Sequence, residues 1–509
     1  MKILSEITSH IFSFIVGVLA LCAILTTCVI PISYIENPQN NVKYVALSLI
    51  PTVIIGCLLI KIQQVIRQIT LQRIRVFALS MIAGIGLLWI SVANLHPVWD
   101  MQALIDYASS FGDNDSLLFS DSYLHMYPYQ SGYILFLYVF MNLFGFSNYL
   151  AIRMFNIGLV VLGIYFMSRL TGVIFPNDQI AEKNSLLIST LFSPFIFTAT
   201  LIYGNLPSIS FCLGACYFLL RVFRNRETIQ ISYGLLSIFF VFLALWFKPN
   251  SLIFLIGLIF YLLTEFVGRK KIKILILVIV NLCVYILASS LPVMMVENKH
   301  NVDISHNVLP KTAWIAMSLQ NSYPRADGWY NDYAVNLYQK YNGDTQKIDS
   351  IAKKDIANRL RSFLHDPNEA INFMSNKITS QWSEPTFESL EIVFGSAETI
   401  PNNLSPDSKL QSSMHQGLLR RIYIMWCDSI QTLIYISSFC LIIKLRKNLS
   451  MKQLLPAIIM MGGLLFHAFW EAKSLYVLPY FMLLIPYAAT CFAYSVDWVE
   501  NRGKKVSSV

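Results

Sequence analysis

The chain has 509 residues, of which 55% are hydrophobic and only 13% charged, against roughly 25% charged in an ordinary soluble domain. That balance excludes an ordinary cytosolic protein. The formal net charge of +9 does not mark a nucleic-acid binder, because Lys and Arg sit in short loops between apolar runs rather than along a basic stripe.

Apolar runs long enough to cross a hydrocarbon core about 30 Å thick predict an all-α polytopic membrane protein of about 12 helices. They fall at about 11–33, 43–61, 76–95, 148–168, 185–203, 207–223, 232–247, 250–266, 274–296, 422–443, 453–470 and 475–496. The first follows Met1–His10 without a small-x-small cleavage pattern and reads as a retained anchor. Lys61, Arg67, Arg73, Arg75, Arg169, Lys183, Arg221, Arg224 and Arg226 fall on one side of this arrangement. Arg269, Lys270, Lys271, Lys273, Lys444, Arg446, Lys447 and Lys452 join them, as do Arg502, Lys504 and Lys505 of the tail. Short loops on the other side hold only Lys43, Lys248 and Lys473. The positive-inside rule then puts both termini in the cytoplasm. The 9 Cys lie in or beside apolar segments with no disulfide or zinc spacing, and read as small core residues.

Two long polar loops face outward on this count. The first, 96–147, carries Asp100, Asp106, Asp113, Asp115 and Asp121 and no Lys or Arg. Its Val98–Phe111 stretch has helical periodicity, with Trp99, Leu104, Tyr107, Ala108 and Phe111 on one side, which predicts a helix lying along the membrane surface. Ser131–Phe144 is apolar but short for a span and reads as a second, re-entrant or interfacial helix. The second loop, 297–421, is nearly neutral and large enough for a small α-rich domain; Ser350–Asp366 has amphipathic helical spacing.

Ionisable groups near the spans gather at their outer ends. Arg153 lies one turn into the fourth helix, Lys248 closes the seventh, His467, Glu471 and Lys473 close the eleventh, and Asp100 opens the first outer loop. This favours a site at the membrane surface over a conduction path through mid-span charges. Asp100 is placed to act as a general base on a hydroxyl; the alternative is an acid that stabilises the start of its helix. Arg153, Lys248 and Lys473 suit a phosphate at the lipid–water boundary, or else are snorkelling anchors. Pro128 marks a turn between Tyr127 and Gln130, whose amide could bind a sugar hydroxyl or cap a helix. Asp100, Asp106, His96 and His125 show no diagnostic metal-ligand spacing; no cofactor is implied, and a divalent cation is left open.

Several segments together resemble a known family. HPVWDMQALIDYA, YPYQSGYILFLYVFMNLFG and LAIRMFN are followed by FKPN, PKTAWIAMSL, DGWYND, KITSQW and FWEAKSLYVLPYFMLL. In that order they resemble the GT-C class of membrane glycosyltransferases. The likeness is to the polyprenyl-phosphate-sugar-dependent protein mannosyltransferase and aminoarabinose transferase group, especially its Gram-positive members. The resemblance runs from about residue 76 and implies a sugar donor on a polyprenyl phosphate such as undecaprenyl phosphate. It also implies an extracytoplasmic glycopolymer, glycolipid or protein acceptor, and transfer with inversion. By that resemblance Asp100 is the catalytic base and Arg153, Lys248 and Lys473 face the donor phosphate. Asp106, Tyr127, Gln130, Glu471 and Trp382 are candidate substrate contacts. The chain has Met101 where the mannosyltransferases carry a second acid, and a domain between its ninth and tenth helices.

The resulting organisation is an N-terminal two-helix addition (1–75), a transmembrane core (76–296) with the first outer loop (96–147), an extracytoplasmic domain (297–421) and the C-terminal helices (422–509). Trp314, Trp329, Tyr330 and Trp382 of the large loop either stack on sugars or form that domain's core. Two further readings stand beside the transferase. One is a polysaccharide polymerase or ligase; the other is a transporter or flippase of a lipid-linked saccharide, which wants charge at mid-span.

Overall fold

The computed structural model describes residues 2–28, 48–93, 95–113, 118–120, 122–146, 148–176, 179–223, 228–323, 325–394, 408–445 and 448–506. Lys43, Asp115, Asp121, Arg224, Arg226, Arg446 and Lys447 lie outside them, as do the facing ends of the first two expected spans. In chain order the principal helices are α1 (Lys2–Cys28), α2 (Leu49–Gln68), α3 (Leu71–Val92), α4 (Asp100–Ser110), α5 (Ser131–Phe144), α6 (Tyr149–Ile174) and α7 (Gln179–Leu191). They continue with α8 (Asn205–Val222), α9 (Ile231–Phe247), α10 (Leu252–Arg269), α11 (Ile272–His300), α12 (Lys311–Ser318), α13 (Tyr333–Lys340) and α14 (Thr345–His365). The last are α15 (Pro367–Trp382), α16 (Leu418–Leu445), α17 (Met451–Phe469), α18 (Ser474–Met482) and α19 (Ile485–Val506). No strand occurs among the described residues.

Among the described residues 9 helices are long and apolar enough to cross a membrane: α1, α2, α3, α6, α8, α10, α11, α16 and α17. The pair α18–α19, bent by 44°, makes a tenth if taken as one broken span. Two of the expected spans are shorter. Helix α9 has 17 residues. The span expected at 185–203 is α7, of 13 residues, followed by a separate turn at Ser193–Phe197. Pro194 explains the break, since its ring lacks an N–H and collides with the preceding turn. Helix α8 is the hub of the bundle, with 83% of its apolar stretch buried, whereas α2 and α11, at 22% and 28%, present most of their surface to lipid.

The first long loop folds onto the bundle. Leu104, Tyr107 and Ala108 of α4, and Phe111 just after it, are buried as the periodicity requires, but Trp99 is not with them. It precedes the helix with φ 52°, and its indole is 69% exposed. Helix α5 does not span; it packs against α4, α9 and α11 with Tyr133, Ile134, Leu135 and Leu137 buried. In the second loop, Asp344 and Asp366 cap α14 and α15 by accepting from Lys347 N at 3.0 Å and from Asn368 N at 3.0 Å. The core of α12, α13 and α14 includes Met126 of the first loop, with Tyr127 and Trp470 packed against it, so the two loops form one layer.

Two glycines fix where the end of α9 lies. A Cβ on Gly132 would overlap the Trp246 carbonyl oxygen, and one on Gly204 would overlap that of Phe247. The Trp246 indole donates to the Gly132 carbonyl at 2.8 Å. Backbone oxygens held by helix geometry cannot retreat, so side chains at these glycines overpack the junction. Gly204→Ala is expected to destabilise the protein by about 1–3 kcal/mol, read as a lower thermal midpoint in detergent. Gly158→Ala, with nothing within 4 Å, is expected to hold or raise that midpoint. Equal midpoints for Gly204→Ala and wild type would remove the constraint.

Candidate functional site

Residue Lys248 stands directly after α9 in extended conformation, with Pro249 opening the next helical turn. Its side chain is 7% exposed. The ammonium lies 4.1 Å from the centre of the Tyr203 ring and 5.6 Å from that of Tyr476. Among the described residues no carboxylate is within ion-pair distance of it. Burial pushes Lys248 down to about 7; Asp100 opposes that shift, Lys473 adds to it and Glu471 opposes it. The rings compensate the charge only in part. A narrow cleft opens beside it, lined by Asn205, Ser208, Phe254, Tyr476, Pro479 and Tyr480.

The second element is the extended bridge Trp470–Lys473 between α17 and α18. It makes no helix of its own, and the large loop satisfies its backbone. Ser318 Oγ donates to the Phe469 carbonyl at 2.9 Å, and Ala472 N donates to the Gly328 carbonyl at 2.8 Å. Beyond the bridge, Ser474 Oγ donates to Glu384 at 2.7 Å and Leu475 N to Glu388 at 3.3 Å. Lys473 Nζ lies 3.4 Å from Glu388 Oε2. Burial works to lower the Lys473 ammonium, but Glu388, Glu471 and Asp100 outweigh it and hold the group above its ordinary value. Glu471 is buried, which raises it to about 7; Lys473 opposes this, Glu388 and Asp100 reinforce it, and Lys248 opposes it. Behind the bridge, the fully buried Lys377 donates to the Ser318 carbonyl at 2.7 Å.

The third element is Asp100, the first residue of α4, with an exposed carboxylate. Its charge is felt by Lys248, Glu471 and Lys473 alike. Gln130, at the start of α5, is buried and donates to the Tyr203 hydroxyl. Tyr127 lies beside Tyr123, Tyr129 and Trp314, with ring centres 4.8, 6.1 and 5.7 Å away.

Asp100, Lys248 and the Glu471–Lys473 bridge therefore come together from three separate parts of the chain, with Tyr127 and Gln130 adjoining. Three other candidates stand apart. Arg153 is buried in α6 and donates to the carbonyl of Leu95, so it braces the segment leading to Asp100. Asp106 is exposed on α4 and accepts from Gln102 at 2.7 Å. Trp382 is 1% exposed and belongs to the main core, where its carbonyl accepts from Tyr435 at 2.8 Å. Tyr203, Tyr476 and Glu388 complete the site without having stood out in the sequence. Tyr476 follows Lys473 by three residues and could have been found from it, whereas nothing local marks Tyr203. Among the described residues no group of three or more His, Cys, Asp or Glu is placed to hold a metal ion.

No family model matches the chain, and no curated protein matches its sequence. Among solved structures, the archaeal oligosaccharyltransferase AglB from Archaeoglobus fulgidus, in complex with an inhibitory peptide and a dolichol-phosphate, is similar with a TM-score of 0.42 and 11% identity. The match covers 85% of this chain and 52% of AglB, so the chain spans about half the length of that protein. At that level of likeness the site has to be read from its own residues.

The site has two cations, Lys248 without a contacting carboxylate and Lys473 beside Glu388, together with the exposed Asp100 and the buried Glu471, which is raised toward its neutral form. Such a set suits an anion. Binding a phosphate requires Lys248 charged, so it takes up a proton when Lys248 begins neutral. Affinity for inorganic phosphate or a lipid phosphate is expected to fall as pH rises above about 7, by up to tenfold per unit. Lys248→Arg should keep the affinity high at alkaline pH, and Lys248→Met should be weak at every pH; calorimetric titration across pH checks both.

Proposed function

We propose that this protein is a GT-C type membrane glycosyltransferase that moves a sugar from a polyprenyl-phosphate donor to an acceptor on the extracytoplasmic face. The observation that carries the reading is the buried Lys248, held between two aromatic rings without a contacting anion and next to Lys473. A buried cation is costly without a counter-charge, and a lipid phosphate at the membrane boundary supplies one. The concentration of charge at the loop-bearing end of α9, α17 and α18 supports a surface reaction over conduction.

In this reading the acceptor hydroxyl attacks the anomeric carbon while its proton passes to the Asp100 carboxylate. The bond from the anomeric carbon to the phosphate oxygen breaks, and Lys248 and Lys473 compensate the charge that develops on the departing phosphate. Protonated Glu471 can donate to that oxygen. Displacement from the opposite face inverts the anomeric centre, as in single-step glycosyl chemistry. Undecaprenyl phosphate is the carrier proposed, and a surface glycopolymer, glycolipid or protein the acceptor.

The test is transfer by purified protein in nanodiscs, using radiolabelled undecaprenyl-phosphate sugars and a cell-wall acceptor fraction. Asp100→Asn is expected to lower turnover by roughly a hundredfold to ten-thousandfold with donor affinity preserved. A fully active Asp100→Asn protein would remove the base. No transfer from any donor by well-folded wild type would overturn the reading.

A further inference from the structure

The face of α4 beside Asp100 carries a pattern that the bond-breaking chemistry does not use. Gln102 and Asp106 are four residues apart and share one side of the helix, and Trp99 stands immediately before its first residue. Trp99 and Asp106 are exposed and Gln102 is half-buried. The Gln102 amide donates to Asp106 at 2.7 Å, which orients a planar amide and a carboxylate side by side. The Trp99 indole is 69% exposed and no described aromatic ring stacks on it. Helical periodicity would bury this side chain with Leu104 and Tyr107. The backbone instead takes φ 52° at Trp99, a conformation that costs a non-glycine residue about 1–3 kcal/mol. Tyr129, 39% exposed, meets Tyr127 only edge-on and lies close enough to Asp100 and Glu471 to feel both charges.

We infer that this face binds a neutral, pyranose-containing glycan as the acceptor, with Trp99 stacked on a sugar ring, Gln102 and Asp106 bonded to its hydroxyls, and the reacting hydroxyl delivered to Asp100. The inference rests on the proposed transferase reading. Aromatic faces suit the C–H side of a pyranose ring, and paired amide and carboxylate groups suit its hydroxyls. Charge decides between occupants. Asp100 and Asp106 repel a polymer of phosphates. A bilayer anchor would expose further apolar residues beside Trp99, whereas the exposed residues of α4 are Asp100 and Asp106.

The experiment has two arms on full-length protein in nanodiscs. The first measures equilibrium binding of a β-1,4-linked N-acetylglucosamine hexamer, an α-linked mannose oligomer, a glycerol phosphate oligomer and a Ser/Thr-rich peptide, without donor. A neutral oligosaccharide should bind, quench tryptophan fluorescence, and bind about tenfold more weakly to Trp99→Ala. Trp99→Phe should restore most of the affinity, Asp106→Asn should weaken it, and Tyr323→Ala, at a 94% exposed ring, should change nothing. The second arm measures acceptor and donor KM in transfer, where Trp99→Ala should raise the first and leave the second alone. Preference for the peptide or the glycerol phosphate oligomer overturns the inference, as does an unchanged acceptor KM in Trp99→Ala. Oligosaccharide binding without turnover from any donor would instead leave this face standing and overturn the transferase reading.

Discussion

The burial of one ammonium group organises this molecule. Lys248 has lost nearly all its water and has two tyrosine rings where a carboxylate would be expected. Desolvation opposes its charge, and the cation–ring contacts return only part of what water supplied. Its backbone is held in place by the close approach of Gly132 and Gly204 to the carbonyls of Trp246 and Phe247 just before it. Close backbone approach here fixes the position of a charge, and the fixed charge creates an affinity for an anion. A residue whose ordinary behaviour is to snorkel is thereby made a binding group.

The remaining charges of the site are placed by a different device. Glu471 and Lys473 ride on four residues with no secondary structure of their own, and partners from the large loop determine where they point. Ser318, Gly328, Glu384 and Glu388 hold that bridge and the start of α18 by hydrogen bonds, with Lys377 braced behind Ser318. The first loop joins the same layer through Met126 and Tyr127. The loop domain is therefore a frame around the end of the helical bundle as much as a surface for partners, and the placement of Trp382 within the main core agrees with that role.

The sequence revealed those features that depend on composition and local order. Long apolar runs identified the spans, because burying a backbone in lipid demands continuous hydrophobicity. The acids and bases at the ends of those runs singled out Asp100, Lys248, Glu471 and Lys473, which the fold gathers at one place, because charge is rare there. What depended on long-range packing stayed hidden. Arg153 looks like Lys248 in one dimension, yet it turns back to the Leu95 carbonyl. Trp99 fits a helical face by spacing and leaves it by backbone conformation. Tyr203, from a short connection between helices, reaches Lys248 only through tertiary contact. The break before Pro194 was readable from the proline itself, but a hydropathy window averages across it.

The central claim is that Lys248 and Lys473 bracket a lipid phosphate with Asp100 facing its sugar. The most direct measurement is an electron cryomicroscopy structure of the protein in nanodiscs with undecaprenyl phosphate. The account predicts phosphate density between the two ammonium groups, within hydrogen-bonding reach of both, with the prenyl chain leaving through the cleft lined by Phe254 and Tyr480. Phosphate density elsewhere, beside Arg153 for example, or the two lysines left without an anion at saturating lipid, would contradict it.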